Sequence, residues 1–309
     1  MNKFISDEQI LKALLAYNST KAAAESVGLS VRQFCSRKAA IPNAPKYNRE
    51  TKSFIKREGL GRIETTMQDG KILVFSDAHF QPDQESTAYR ALLLFIKQFR
   101  PEIIVCNGDA FDGNSVSRHP KVQWGKSPSV KEEIDAVKEA LGQIEMLSKG
   151  KLVWCLGNHD ARFEGHLIAH AGEQYEGIHG FALKDHFPRW MPCWSLWVND
   201  IVIKHRYKNG IHATHNNLTS GKHMITGHLH SQKVTPFTDY NGTRYGVDSG
   251  CLAPCFAEQF LYAEDNPRNW RSGFALLTVK DGKLIMPELC MVVDEDEGLV
   301  EFRGDRIKV

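Results

Sequence analysis

Short apolar runs, each closed by residues able to bind metal or move protons, recur through the middle of this 309-residue chain. KILVFS leads to Asp77-Ala78-His79, and EIIVCN to Gly108-Asp109-Ala110-Phe111-Asp112. KLVWCL leads to Gly157-Asn158-His159-Asp160, DIVIKH ends at His205, and HMIT leads to Gly227-His228-Leu229-His230. Runs this short read as buried strands. Helical patterns are expected over 88–99, 131–148 and 162–170. After Met191 the pattern turns to strands: WSLWV, KVTPF, RYGVDS, GFALLTV and KLIMPELCMVV, with Asn241-Gly242 and Asp281-Gly282 as hairpin signals. An α/β first half and a strand-rich second half predict two packed sheets flanked by helices.

The first 40 residues differ. Ile10, Leu11, Leu14 and Leu15 recur at helical spacing, Ser19 or Thr20 suits the start of a second helix, and Ser30 caps a third over Val31 to Arg37. Ala24, Gly28, Leu29 and Ser30 resemble a helix-turn-helix module, in which small Ala permits close helix contact and Gly takes the left-handed turn. That resemblance implies DNA contacts from Arg32, Gln33, Arg37 and Lys38, because the second helix of such a pair enters the major groove. A protein-docking or purely structural hairpin is the alternative. Residues 41–66, with Pro42, Pro45, Gly59 and Gly61, read as a basic linker, and 67–309 as the main domain with an acidic C-terminal tail. From Val31 to Arg62 nine Lys/Arg face only Glu50 and Glu58, although net charge over the whole chain is +2. A basic stretch of this kind suits a polyanionic partner.

The chemistry of the strand ends is specific. Carboxylates, an amide and imidazoles arrive together at one edge of a sheet. Oxygen and nitrogen donors without thiolate suit divalent manganese, magnesium, iron or zinc. The seven cysteines are scattered, with Cys106 and Cys155 inside expected buried strands and Cys251 and Cys255 without partner ligands at zinc-finger spacing, so they read as structural. A reducing cytoplasm fits best. The start, MNKFISDEQI, has no apolar signal region, and no run approaches the ~20 apolar residues of a membrane span, so no membrane partner is expected. Oligomeric state leaves no mark on the sequence.

The order D-x-H, G-D-x-x-D, G-N-H-D, strand-terminal His, G-H-x-H resembles the calcineurin-like metallophosphoesterase superfamily over roughly Lys71 to Cys290. Ser117-Arg118-His119 and Arg162 bring it closest to phage and bacterial members, which implies a protein working in a cytoplasm, a phage's host included. The resemblance implies two divalent cations, manganese first, with iron, zinc, magnesium and nickel also compatible. Asp77, His79, Asp109 and His230 would hold one, and Asp109, Asn158, His205 and His228 the other. It departs at one point: the family has His-Gly where this chain has His205-Arg206. His212 and His215 are alternatives to His205, but only His205 ends a strand-like run. His159 reads as a non-ligand general acid oriented by Asp112, and Asp160 as structural. Arg118, His119, Arg162 and His215 are expected substrate contacts. The expected activity is a metal-dependent phosphoester hydrolase, first a DNA-directed phosphodiesterase or nuclease. The alternatives are a protein or nucleotide phosphomonoesterase, and a DNA-binding regulator that keeps the fold as a scaffold. Complete ligand motifs speak against the last.

Overall fold

The computed structural model describes residues 5–16, 20–41, 54–57, 59, 61–118, 127–208, 213–257, 259–260 and 268–309. The chain divides into two units, Met1–Ser53 and Phe54–Val309.

The first unit holds α1 (Asp7–Ala16), α2 (Thr20–Ser26) and α3 (Val31–Ala40). Ile10, Ala13, Ala23, Ala24 and Phe34 form its small core. Local rules shape the turn between α2 and α3. The Leu29 amide donates to the Ala24 carbonyl at 2.9 Å and the Gly28 amide to Glu25 at 3.0 Å, around Gly28 at φ 72°. This is a Schellman ending, which puts glycine at the left-handed position. Ser30 and Gln33 then form a reciprocal capping box at the start of α3. Gln33, expected to contact DNA, is thereby engaged in the cap. Arg32 is exposed, and Arg37 and Lys38 are half-buried. The expected cap at Ser19 and the linker cations Lys46, Arg49 and Lys52 lie outside the described residues.

The second unit begins with β1 (Ile55–Arg57), β2 (Arg62–Thr65), β3 (Gly70–Phe75), α4 (Thr87–Phe99), β4 (Ile103–Cys106), α5 (Val130–Leu147), β5 (Lys151–Cys155) and α6 (Asp160–Ala171). It continues with β6 (Met191–Cys193), β7 (Ser195–Val198), β8 (Ile201–Ile203), α7 (Ala213–Ser220), β9 (His223–Thr226), β10 (Lys233–Asp239) and β11 (Gly242–Asp248). The last strands are β12 (Gly273–Lys280), β13 (Lys283–Leu284), β14 (Glu288–Asp294), β15 (Leu299–Phe302) and β16 (Asp305–Lys308). They form two sheets, ordered β1-β2-β7-β8-β9-β11-β10 and β16-β15-β14-β12-β3-β4-β5-β6, with β13 beside β12. Strands β3 to β6 run parallel, so their C-terminal ends share one edge.

The continuous apolar runs are explained by burial on both faces. Ile72, Val74, Ile103 and Val105 join Leu196, Ile203, Ile225 and Val247 in the core between the sheets. The alternating residues Leu73, Phe75, Ile104 and Cys106 pack instead with Leu92, Phe95 and Ile96 of α4 and Leu141 and Ile144 of α5. Each such side chain contributes about 1.5–3 kcal/mol, so the loops at the strand ends stand on a rigid base.

Three expectations change. The segment read as linker contributes β1 and β2, and two of its cations, Arg57 and Arg62, pair with Glu64 at 3.0 and 3.3 Å. The acidic tail is β14 to β16, where Glu288, Glu301 and Glu297 meet Arg303, Arg306 and Lys308. KLIMPELCMVV is two strands separated around Pro287, which has no amide hydrogen for a ladder. Among the described residues no helix is long and apolar enough to cross a membrane.

Candidate metal centre

The strand ends carry a distinctive backbone. Five of the ten non-glycine residues with positive φ among those described are Asp77 (52°), His79 (42°), Asp109 (56°), His228 (73°) and His230 (57°). Such conformations cost about 1–3 kcal/mol each and persist only where the surroundings impose them. Here hydrogen bonds between loops do so. The amides of Asp77 and His79 donate to the carbonyls of Gly108 and Asp109, both at 2.9 Å, and that of Phe80 to Ala110 at 3.0 Å. The positive φ values also supply the kink that lets both imidazoles of His228-Leu229-His230 turn inward, which a plain strand would send to opposite faces.

The motif glycines allow close approach. A Cβ on Gly108 would lie 2.5 Å from Nδ1 of His205, one on Gly157 would enter the Asp109 carboxylate, and one on Gly227 would meet Ser76 and Asp77.

Each central carboxylate has one oxygen tied to the backbone and one facing imidazoles. Asp77 Oδ2 accepts from the His228 amide at 2.8 Å, while Oδ1 lies 3.1 Å from Nε2 of His230. Asp109 Oδ1 accepts from the His159 amide at 2.8 Å, while Oδ2 lies 3.0 Å from Nε2 of His205. His205 donates from Nδ1 to the Asn107 carbonyl at 2.8 Å, which fixes the ring and aims Nε2 at Asp109. Donor atoms of Asp77, His79 and His230 lie within 4.8 Å of one another, as do those of Asp109, His205 and His228. Each group is part of one of the two ligand sets expected from the motifs, without Asp109 in the first and Asn158 in the second, and a third group joins His79 and Asp109 to His159, expected to be a non-ligand. His79 Nε2, Asn158 Oδ1 and His230 Nδ1 are buried without a hydrogen-bond partner. Buried polar atoms are rarely left so unless a ligand takes them, and an all-nitrogen-and-oxygen set suits hard or borderline divalent cations. The residues therefore fit a metal pair.

Electrostatics follow from burial and proximity. Burial opposes ionisation of Asp77, yet His230 and His205 outweigh it and hold the carboxyl down at about 2. Asp109 is likewise pulled below its ordinary value against burial, chiefly by His205. Burial also opposes a charge on His205, but Asp109 and Asp77 raise its pKa to about 10. His228 moves down, from burial and then the charges of His205 and Arg206 among others.

Asp112 joins the cluster to a proton-bearing group. Its Oδ1 lies 2.9 Å from Nδ1 of His79 and 3.0 Å from Nδ1 of His159. The Asp112 carbonyl accepts from His159 Nδ1 at 2.9 Å and from Arg162 Nη1 at 2.9 Å, and Arg162 Nη2 is 3.1 Å from His159 Nε2. Burial works against a protonated His159, but Asp112 and Asp109 prevail and its pKa rises. Asp160 is an organiser: its carboxylate accepts from the amides of Asp109, Ala110, Phe111 and Gly157 and from the Trp154 indole, at 2.8–3.1 Å. It thus locks the second motif to the third.

Of the expected substrate contacts among the described residues, only Arg162 is brought into this network. Arg118 is exposed, His215 is exposed on α7, and His119 lies outside the described residues, as does His212. Sequence reasoning missed three features. Phe260 packs edge-on to His79 and His230, with ring centroids 5.2 and 5.3 Å away, and Trp270 lies 4.4 Å from His230. Buried Asp248 accepts from the amide and hydroxyl of Ser231 and the amide of Gly250, steadying the fifth motif. Buried Glu133 of α5 accepts from the Gly113 amide at 2.7 Å, next to Asp112. Only the glutamate, at the core-facing side of an amphipathic helix, left a trace in the sequence.

The family model for calcineurin-like phosphoesterases matches residues 70–246. This chain belongs to that family. The calcineurin-like phosphoesterase is similar to the gene 54 proteins of Mycobacterium phages L5 and D29, at 26% identity over 247 residues and 27% over 256. In both cases the alignment covers 72% of this chain and 94% of the relative. Among solved structures, Vps29 complexed with zinc from Entamoeba histolytica matches with a TM-score of 0.41 and 14% identity, covering 77% of this chain and 98% of that one. As a calcineurin-like phosphoesterase the chain is a metal-dependent enzyme acting on phosphate esters.

Proposed function

We propose that this phosphoesterase is a dinuclear phosphodiesterase directed at DNA, with manganese as its preferred metal. The observation that carries the reading is the Asp112 carboxylate shared between His79 and His159, which sets a proton-bearing imidazole at the edge of a complete ligand set. Asp77, His79, Asp109 and His230 would hold one cation and Asp109, Asn158, His205 and His228 the second. Bound there, the cations supply charge stabilisation for the phosphoryl oxygens and activate water at neutral pH.

The chain's own groups do the rest. Asp112 holds Nδ1 of His159, so Nε2 is the nitrogen able to deliver a proton to the departing alkoxide. In this geometry Arg162 Nη2 donates to that nitrogen, so Nε2 takes up a proton once the guanidinium turns from it to a phosphoryl oxygen, the partner it suits. Exposed Arg32 on α3 and the basic stretch after it support a nucleic-acid substrate. The phage relatives support action in a host cytoplasm.

The test compares bis-p-nitrophenyl phosphate with p-nitrophenyl phosphate in the presence of Mn²⁺, then linear, nicked and single-stranded DNA. Faster turnover of the diester and scission of DNA are expected. Turnover confined to the monoester would make the protein a phosphomonoesterase. In the full chain, Arg32→Ala with Arg37→Ala should weaken duplex binding and make its salt dependence shallower. Unchanged binding at low salt would leave the first unit a docking or structural module.

A further inference from the structure

The segment that follows ligand His205 stands outside the metal cage but is built onto its wall. Its backbone is pinned at three points. The Lys204 amide donates to Ile225 at 3.1 Å, the His205 carbonyl accepts from Gly227 at 2.9 Å, and the Lys208 amide donates to Oδ1 of Asn216 at 3.2 Å. Asn216 is itself buried on α7. Arg206, Tyr207 and Lys208 nonetheless expose their side chains, Tyr207 by 37%. The ammonium groups of Lys204 and Lys208 lie 5.6 and 5.8 Å from the centroid of the Tyr207 ring.

Among the described residues no carboxylate pairs with Lys204, Arg206 or Lys208. Elsewhere on this unit Arg57, Arg62, Arg244, Arg303 and Arg306 each meet an acidic partner. Lys204 and Lys208, near one ring and without a carboxylate partner among the described residues, repel each other, and an arriving anion removes that repulsion. The anion is suggested by position, because Arg206 follows directly on a residue of a phosphate-processing centre. The exposed Tyr207 ring near these cations adds a preference for a planar, polarisable group.

We propose that Arg206, Tyr207 and Lys208 form a strand-binding subsite: the two cations take the phosphodiester flanking the scissile one in a single-stranded stretch of nucleic acid, and the Tyr207 ring carries a base. The subsite rests on the phosphodiesterase reading given above. Its chemistry is the one by which single strands are held without regard to sequence, charges tracking the backbone and aromatic rings stacking bases. A substrate with a single phosphate has nothing to place there.

The experiment uses the full-length, Mn²⁺-loaded protein with bis-p-nitrophenyl phosphate, pentathymidylate, pentauridylate and a dinucleoside tetraphosphate. Arg206→Gly, which installs the residue of the family pattern, should raise KM for both pentamers by about tenfold relative to the small diester. The logarithmic salt slope of kcat/KM for the pentamers should become shallower by about 0.7, one single-strand phosphate contact. Tyr207→Ala should raise the same KM ratio and leave the salt slope unchanged. Fluorescence anisotropy of a labelled pentamer with metal chelated gives a readout that needs no turnover, and Arg206→Gly should raise Kd by a similar factor.

Equal losses on the pentamers and the small diester would overturn the subsite and make Arg206 a support for His205. A larger loss on the dinucleoside tetraphosphate than on either pentamer would overturn the strand assignment. Absence of all diester hydrolysis in the unmodified protein would overturn the phosphodiesterase reading instead, and the anisotropy measurement would still decide the subsite.

Discussion

The turn at Gly28 and the loops at the metal centre both use left-handed backbone, but for opposite reasons. At Gly28 the residue type suits the conformation, the hydrogen bonds come from the preceding helix, and nothing lies within 4 Å of where a Cβ would stand. At Asp77, His79, Asp109, His228 and His230 the residue types resist the conformation, and contacts from distant segments enforce it. The first is a fold obeying local preference. The second is a fold overriding it to gather side chains, which is the mark of a working site.

That contrast can be attacked at its strongest point. Asp109→Gly gives the second motif a residue comfortable at φ 56° but removes the shared carboxylate. We expect metal content measured by elemental analysis to fall from two ions per chain to less than one, with activity lost alongside. Retention of both ions would show that the backbone, not the carboxylate, is what the position provides. His159→Ala comes next. It should keep both ions and lower kcat by roughly 10²–10⁴-fold, the usual yield of a general acid. The loss should shrink as the leaving group improves from alkyl to nitrophenyl, and an equal loss on both would remove the proton-donor role.

Gly113 lies between the two cases. It is a glycine with φ 63°, yet its amide is held by distant Glu133. Burial, then the charge of Asp112, raises the Glu133 pKa from an ordinary 4.5 to about 7. The folded state therefore holds the proton more tightly than the unfolded chain does, so this group's contribution to stability falls as pH rises from 4.5 to 7 and is level above. Glu133→Gln does not titrate. Its stability relative to the unmodified protein should improve across that window by up to about 3 kcal/mol, read from denaturant unfolding at pH 4.5 and pH 8. A constant difference would place the proton elsewhere. The smallest effect belongs to Gly28→Ala, which forces a Cβ into the left-handed turn and should destabilise the first unit by about 1 kcal/mol without changing hydrolysis of a small diester. A change in turnover there would mean that the turn serves the site after all.

How far the sequence could be read follows the same division. The five motifs were legible because each ligand follows a continuous apolar run, and runs such as KILVFS are continuous because both of their faces are buried. His205 was separable from His212 and His215 on that ground alone, and the structure places its ring against Asp109. Helix α7 was not legible: ATHNNLTS has no apolar stripe, and what anchors it is buried Asn216 and Asn217, whose amides reach Thr226, Thr235 and Arg244. Strand β2 was hidden by the glycines and charges around it, since only Ile63 and Thr65 turn inward. The acidic tail misled because a sum of charges conceals pairing across strands. Phe260 and Trp270 come to the metal centre through long-range packing, for which local patterns carry no signal.

Asp112 has a consequence for anyone tuning this protein. One carboxylate meets both the imidazole of His79, a candidate ligand, and that of His159, the proposed proton donor. If His79 holds a cation as proposed, exchanging that cation would change how strongly His79 draws on the carboxylate, and so how much of it remains for His159. Metal choice and optimum pH would then not be separate dials, and a pH profile collected with one metal would not carry over to another.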